Sequence, residues 1–280
     1  MIPFFISAPR TRSSVLFETA QYYCESALNL LPLGNHTELF LEFSQNAEFK
    51  DAKTNTTHIS ELYPVLQQDN LNVHYVYPHI FANRKERNLY KLDILQQQKQ
   101  KGINYNIKGT IQIADTPDEI IDFYKDRHFV ITKRRNLEDY LCSFLVALTT
   151  KLFHARPNNV DRYRDILDNQ VTVKSDMLAQ EPKTLLDYTK KLWSLERYIT
   201  DLDYTCTVTY YEDLDTQDNI HSTLTKILGT DTWQQYLPEN YQQKIPIKIQ
   251  KDYSKVISNY DEIISVLRQN INQSGIKEYI

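Results

Sequence analysis

The first thirty residues do most to limit the folds open to this chain. Phe4-Phe5-Ile6-Ser7 is an apolar run of strand length, and Ala8-Pro9-Arg10-Thr11-Arg12 reads as a turn. From Ser13 onward, Leu16, Ala20, Tyr23, Ala27 and Leu30 recur at helical spacing. A strand that passes through a tight turn straight into a helix sets the pattern, and the pattern returns. Asn106–Ile113 reads as a strand and Pro117 as the first residue of a helix, with Asp118 and Glu119 in its first turn. His128–Thr132 reads as a third strand, followed by a helix capped by Asn136 and running from Leu137 to about Phe153. Thr205–Tyr210 leads to a helix from His221 to Leu228, with Gly229 at its C-terminal cap. Strands alternating with helices predict an α/β fold whose central parallel sheet is flanked by helices.

Between these units the reading is coarser. Residues 35–100 are polar and rich in Gln, Asn and His, with a strand expected at Val73–Tyr77 and an exposed helix from Arg84 to Gln100. Residues 155–182 read as a polar surface excursion bounded by Pro157 and Pro182. A long amphipathic helix follows, marked by Leu185, Leu192, Leu195 and Ile199, and the tail from Asp252 holds another, with Ile257, Ile263, Ile264 and Leu267. Nothing divides residues 1–280 into two domains, so the chain is expected to be one domain with a helical insertion over 155–200.

Composition narrows the function. A net charge of −4 lacks the basic footprint of a general nucleic-acid binder, so any anion site must be local. Cys24, Cys142 and Cys206 have no metal-ligand spacing and lie in apolar segments, which predicts buried thiols in a reducing compartment. The seven histidines are scattered, and no metal site is expected. There is no basic leader with a long apolar core and no run approaching the ~18 apolar residues that span a bilayer, so a cytoplasmic protein without membrane contact is expected. With five glycines, neither G-x-G-x-x-G nor the Walker loop occurs, which counts against a dehydrogenase and a P-loop kinase.

The turn itself carries chemistry. Ser7 to Ser14 joins a strand to a helix whose first N–H groups and positive dipole end suit an anion. Thr11, Ser13 and Ser14 add hydroxyl donors, and Arg10 and Arg12 add charge in a form that can fork onto phosphate oxygens. The loop resembles the 5′-phosphosulfate-binding loop of sulfotransferases that use 3′-phosphoadenosine-5′-phosphosulfate (PAPS). That loop runs proline, a basic residue, a hydroxyl, glycine and two hydroxyls. Pro9, Arg10, Thr11, Ser13 and Ser14 match it, and Arg12 stands at the glycine position.

Two further stretches carry the resemblance. Val130–Ser143 is similar to the family's 3′-phosphate motif, with Arg135, Asn136, Asp139 and Ser143 in the matching places and Arg134 as an alternative owner of the arginine role. Thr209–Leu214 resembles the Tyr-Glu-Asp-Leu stretch, which implies Tyr211 near the adenine; packing alone is the other account of that ring. The resemblance implies a P-loop-like sheet, PAPS as donor with 3′,5′-bisphosphoadenosine (PAP) as product, and a small-molecule or glycan acceptor. Small soluble bacterial and phage members are the most similar in character.

For the chemistry, Lys108 in Asn106–Thr110 matches the family's lysine beside the transferring group, while Thr110 stands where cytosolic members place a catalytic histidine. The base expected from the resemblance is Glu38, in Gly34–Phe40, with His36 in reserve. Lys248 and Lys251 stand in for the basic segment over the 3′-phosphate. The resemblance thus implies a sulfotransferase acting on a hydroxyl or amine. A nucleotide-binding module without catalysis is the alternative, since Arg12 and Thr110 depart from the pattern.

Overall fold

The structure is a computed structural model. It describes residues 1–32, 92, 96, 99–102, 104–110, 117–153, 155–157, 159–243 and 251–279. The expected strand at Val73–Tyr77 and the candidates His36, Glu38 and Lys248 lie outside these residues, as does most of the helix expected at 84–100.

Five parallel strands form the sheet: β1 (Pro3–Ser7), β2 (Leu31–Pro32), β3 (Tyr105–Thr110), β4 (His128–Lys133) and β5 (Cys206–Tyr210). Their order is β2-β3-β1-β4-β5. Every residue of β1 and β4 is buried, as expected of strands covered on both faces. The pleat then sorts them. Phe4, Ile6, Phe129 and Ile131 point into one core, and Phe5 and Val130 into the other.

Helix α1 (Ser13–Ser26) covers the Phe5 side through Val15, Leu16 and Ala20. The chain later returns to that face after α2 (Pro117–Phe123) and α3 (Leu137–Thr150). Helix α3 covers the opposite face with Leu141, Leu145 and Val146. It is joined there by α4 (Val160–Asp168) and α5 (Ser175–Asp201). Helix α6 (Gln217–Leu228) packs beside α1 through Ile220 and Leu224, and α7 (Tyr253–Val256) and α8 (Tyr260–Gln273) close the α3 side. Asn136 caps α3 by accepting from the Asp139 N–H at 3.0 Å, and Gly229 ends α6 at φ 69°, both where the sequence predicts them.

The region after α3 departs from expectation. Pro182 does not bound a helix but lies buried inside α5, which is 27 residues long. The seven-residue spacing Leu178–Leu185–Leu192–Ile199 runs straight through it, and burial along that length outweighs the roughly 3 kcal/mol that a proline inside a helix costs. Residues 155–182 are not a surface excursion either, since Tyr163, Leu167, Val171, Val173 and Leu178 belong to the α3-side core. The Val171 N–H donates to the Val256 carbonyl at 2.7 Å and Ser258 N–H to Val171 at 3.1 Å. Asn259 bonds both backbone groups of Val173. The insertion and the C-terminal tail are thereby fastened together beside β4.

Topology places the candidate site. From β1 the chain leaves toward β2, and from β4 it leaves toward β5, so the crevice at their carboxyl ends is the switch point where α/β sheets commonly take ligands. No helix among the described residues is long and apolar enough to cross a membrane. Cys24 and Cys142 are buried, Cys206 is half-buried, and all three are free thiols.

Candidate anion-binding site

The loop after β1 is shaped by two left-handed residues, Arg10 at φ 63° and Arg12 at φ 66°. Arg12 sits at the N-cap of α1 and offers no side-chain acceptor to the first N–H groups. Among the described helices of eight residues or more, α1 alone has no acid in its first turn. Its positive end therefore carries neither a side-chain cap from Arg12 nor an acid of its own first turn. Ser13 is buried and Ser14 half-buried at that end. Thr11 is otherwise occupied: its hydroxyl donates to the Ala8 carbonyl at 2.9 Å and meets the Thr132 hydroxyl at 2.8 Å, which pins the loop to the end of β4.

Four cations gather around this loop. Arg10 Nε donates to Ser143 Oγ at 3.2 Å across 133 residues of sequence, and its Nη2 donates to the Tyr163 hydroxyl at 3.3 Å. Lys251 Nζ donates to the same hydroxyl at 2.5 Å. The Tyr253 hydroxyl is hydrogen-bonded to Ser143 and feels both Arg10 and Arg134. Burial, reinforced by Arg10 and Arg134, pushes the Lys251 amine down to about 7. Arg134 is 4% exposed and stacks on the Tyr211 ring at 3.9 Å. Burial also lowers the pKa of Arg12, with Tyr211 opposing the shift, and its Nε and Nη1 are buried without a hydrogen-bond partner.

Among the described residues carboxylates offset the group only in part. Glu212 lies 4.0 Å from Arg134 Nε, but both its oxygens accept from the Arg135 N–H and one also from the Asn136 N–H, each at 3.1 Å. Asp139 feels Arg134, yet burial dominates and its pKa is raised. Clustered, partly desolvated cations with hydroxyls between them are the kind of group whose charge a multiply charged oxyanion would balance.

The structure divides the two arginines after β4. Arg134 turns into the cluster. Arg135 is half exposed, forks onto Asp213 at 2.5 and 2.8 Å and stacks on Tyr210, away from Ser143. The arginine near Ser143 is therefore Arg134 rather than Arg135. Neighbouring residues leaving a strand point to opposite sides, and the motif alone does not say which side faces the crevice. Lys108 and Thr110 lie on β3 beside β1, in register with Phe5 and Ser7. Tyr163 and Tyr253 were not foreseen. Both sit at ordinary helical positions in a chain with 20 tyrosines, and no local pattern marks a hydroxyl that ends in a cation cluster. Among the described residues no group of three His, Cys, Asp or Glu could hold a metal.

No protein-family model, no curated protein and no solved structure matches this chain.

Proposed function

We propose that the crevice between β1 and β4 binds a 3′-phosphorylated adenine nucleotide, on a P-loop-like sheet, and that the chain is a PAPS-dependent sulfotransferase. The contact of Arg10 with Ser143 carries this reading. Arg10 comes from the loop that resembles the 5′-phosphosulfate motif and Ser143 from the stretch that resembles the 3′-phosphate motif, and their contact beside Arg134 and Lys251 supports one anion crevice where the two motifs adjoin. On this reading the sulfuryl–oxygen bond to the 5′-phosphate breaks and a bond to an acceptor hydroxyl or amine forms. The acceptor proton passes to a base, and PAP leaves. The positive end of α1 and the Arg12 guanidinium favour the negative charge that grows on the departing phosphate.

The test has two steps. PAP should raise the melting temperature of the free protein, as a ligand of the native state alone must, and ATP should do so less. Transfer of label from PAPS to an acceptor in a screen then separates an enzyme from a binding module. The binding module stays in view because Arg10 engages Ser143 and Tyr163 rather than facing α1 alone. If a working acceptor is found, Glu38→Gln should lower turnover by roughly 10²–10⁴ while leaving PAP affinity nearly unchanged. A melting temperature indifferent to PAP would remove the nucleotide reading.

A further inference from the structure

Tyr163 has no place in any motif, yet it joins two cations from opposite ends of the chain. It is 3% exposed on α4. Its oxygen accepts from Arg10, in the loop after β1, and from Lys251, just before α7. A phenol oxygen that accepts two hydrogen bonds has its own O–H as its remaining capacity. Among the described residues the Lys251 nitrogen can take that proton only while it is neutral, and an anion that keeps the amine charged leaves the O–H for the ligand.

We propose that Tyr163 is a binding residue of this site, holding Arg10 and Lys251 side by side with its oxygen and donating its proton to a terminal oxygen of a bound phosphate monoester. The ligand class follows from the donors. Arg10, Arg134, Lys251, Ser143 and Tyr163 surround one region, more donors than the two oxygens of a carboxylate can use, whereas a phosphate monoester presents three terminal oxygens. Among the described residues carboxylates offset this charge only in part, and the ligand would bring the rest. Asp252, beside Lys251 in sequence, is exposed and engaged by Ser254 and Lys255, while Glu212 is committed to backbone N–H groups. The pairing of Val171 with the tail fastens α4 to the segment that carries Lys251, so Tyr163 and Lys251 are presented as one unit.

This inference rests on the nucleotide reading only for the identity of the ligand, and the test separates the two. PAP, adenosine-5′-phosphosulfate and inorganic pyrophosphate are titrated by calorimetry into the wild type and Tyr163→Phe. The variant should bind PAP roughly 10- to 100-fold more weakly, the range for losing a hydrogen bond to a charged partner. It should bind adenosine-5′-phosphosulfate, which lacks the 3′-phosphate, with a clearly smaller loss, passed on through Arg10, and its ligand-free melting temperature should fall by several degrees at most, because Arg10 and Lys251 lose a shared acceptor. A double-mutant cycle with Lys251→Met should be non-additive on PAP binding, because the two side chains act as one unit. Should Tyr163→Phe fold poorly, Tyr163→His, which keeps a ring and a donor, should retain PAP binding that Tyr163→Leu loses. Unchanged PAP affinity, equal loss for both nucleotides or an additive cycle overturns the assignment. If the wild type ignores PAP but binds pyrophosphate more tightly than Tyr163→Phe does, the nucleotide reading fails and Tyr163 stands. If it binds neither, both fall.

Discussion

Two neighbouring strands, β1 and β4, each end in a loop that opens a 14-residue helix, but the two helix ends have opposite electrostatic characters. The start of α3 is filled from within. Asn136 caps it, Glu138 and Asp139 occupy its first turn, and Glu212 reaches across to the Arg135 and Asn136 N–H groups. The start of α1 has no side-chain cap, no acid and an arginine at the N-cap. One end has its anion built in, and on the proposed nucleotide reading the other takes its anion from the ligand. On that reading α3 would serve the site through side chains, Ser143 on the helix and Arg134 before it, and α1 through its backbone.

The largest test of this division compares the two arginines. Arg134→Ala should weaken PAP binding by roughly 10- to 100-fold or more, since it removes a desolvated cation and its stacked partner on Tyr211. Arg135→Ala should scarcely change binding and should cost under about 1 kcal/mol of stability, because its pair with Asp213 is solvent-exposed. Calorimetry and denaturant melts read both. The reverse ranking would return the role to Arg135.

The next test uses protons. The folded Lys251 amine titrates near 7, far below the ordinary lysine range, so between pH 7 and 10 the unfolded chain binds the extra proton. The ligand-free protein should therefore gain stability as pH rises through that window. An anion that restores the charge cancels that gain, since affinity should fall by up to about tenfold per pH unit above 7. Sulfate, which does not titrate there, is the clean probe. Arg10, Arg134, Tyr163 and Tyr253 face the amine, and Lys251→Met should flatten the sulfate profile. A profile unchanged by that substitution assigns the titration elsewhere. A smaller effect is expected of Glu212→Gln. It should lower stability by about 0.5–1 kcal/mol through the weaker helix-end contact, and raise sulfate affinity several-fold by unmasking Arg134.

The same contrast shows what was legible in the sequence. Both strand–loop–helix units could be read, because an apolar run and a 3.6-residue period are local signals, and so is a capping asparagine. The choice between Arg134 and Arg135 could not, since it depends on how β4 is phased against the crevice. Pro182 misled because its local rule is strong, while the packing that overrides it comes from Leu178, Leu192 and Ile199 meeting the core along one helix. Tyr163 and Tyr253 were invisible for a related reason. Their hydroxyls gain meaning only when the pairing of Val171 with the tail brings α4 and residue 251 together, a contact between segments 86 residues apart in the case of Val173 and Asn259.

A comparably small effect concerns Arg12 and bears on why the α1 end looks as it does. A left-handed backbone costs a residue with a Cβ about 1–2 kcal/mol relative to glycine, offset in part by glycine's larger loss of entropy on folding. Arg12 holds that conformation and also buries Nε and Nη1 without partners. Arg12→Gly should therefore stabilise the ligand-free protein by about 1 kcal/mol, roughly 2–4 °C in Tm for a chain of this size class. Lys151→Gly is the control: it relieves a comparable φ of 58° at the C-cap of α3, on an exposed residue outside the cluster. Both substitutions should raise Tm, and Arg12→Gly alone should lower affinity for sulfate and PAP. That pattern means the strain at Arg12 is retained for the charge it presents. If Arg12→Gly lowers Tm and leaves anion binding intact, the side chain is packing rather than a ligand, and the α1 end binds through its backbone and Ser13 and Ser14 alone.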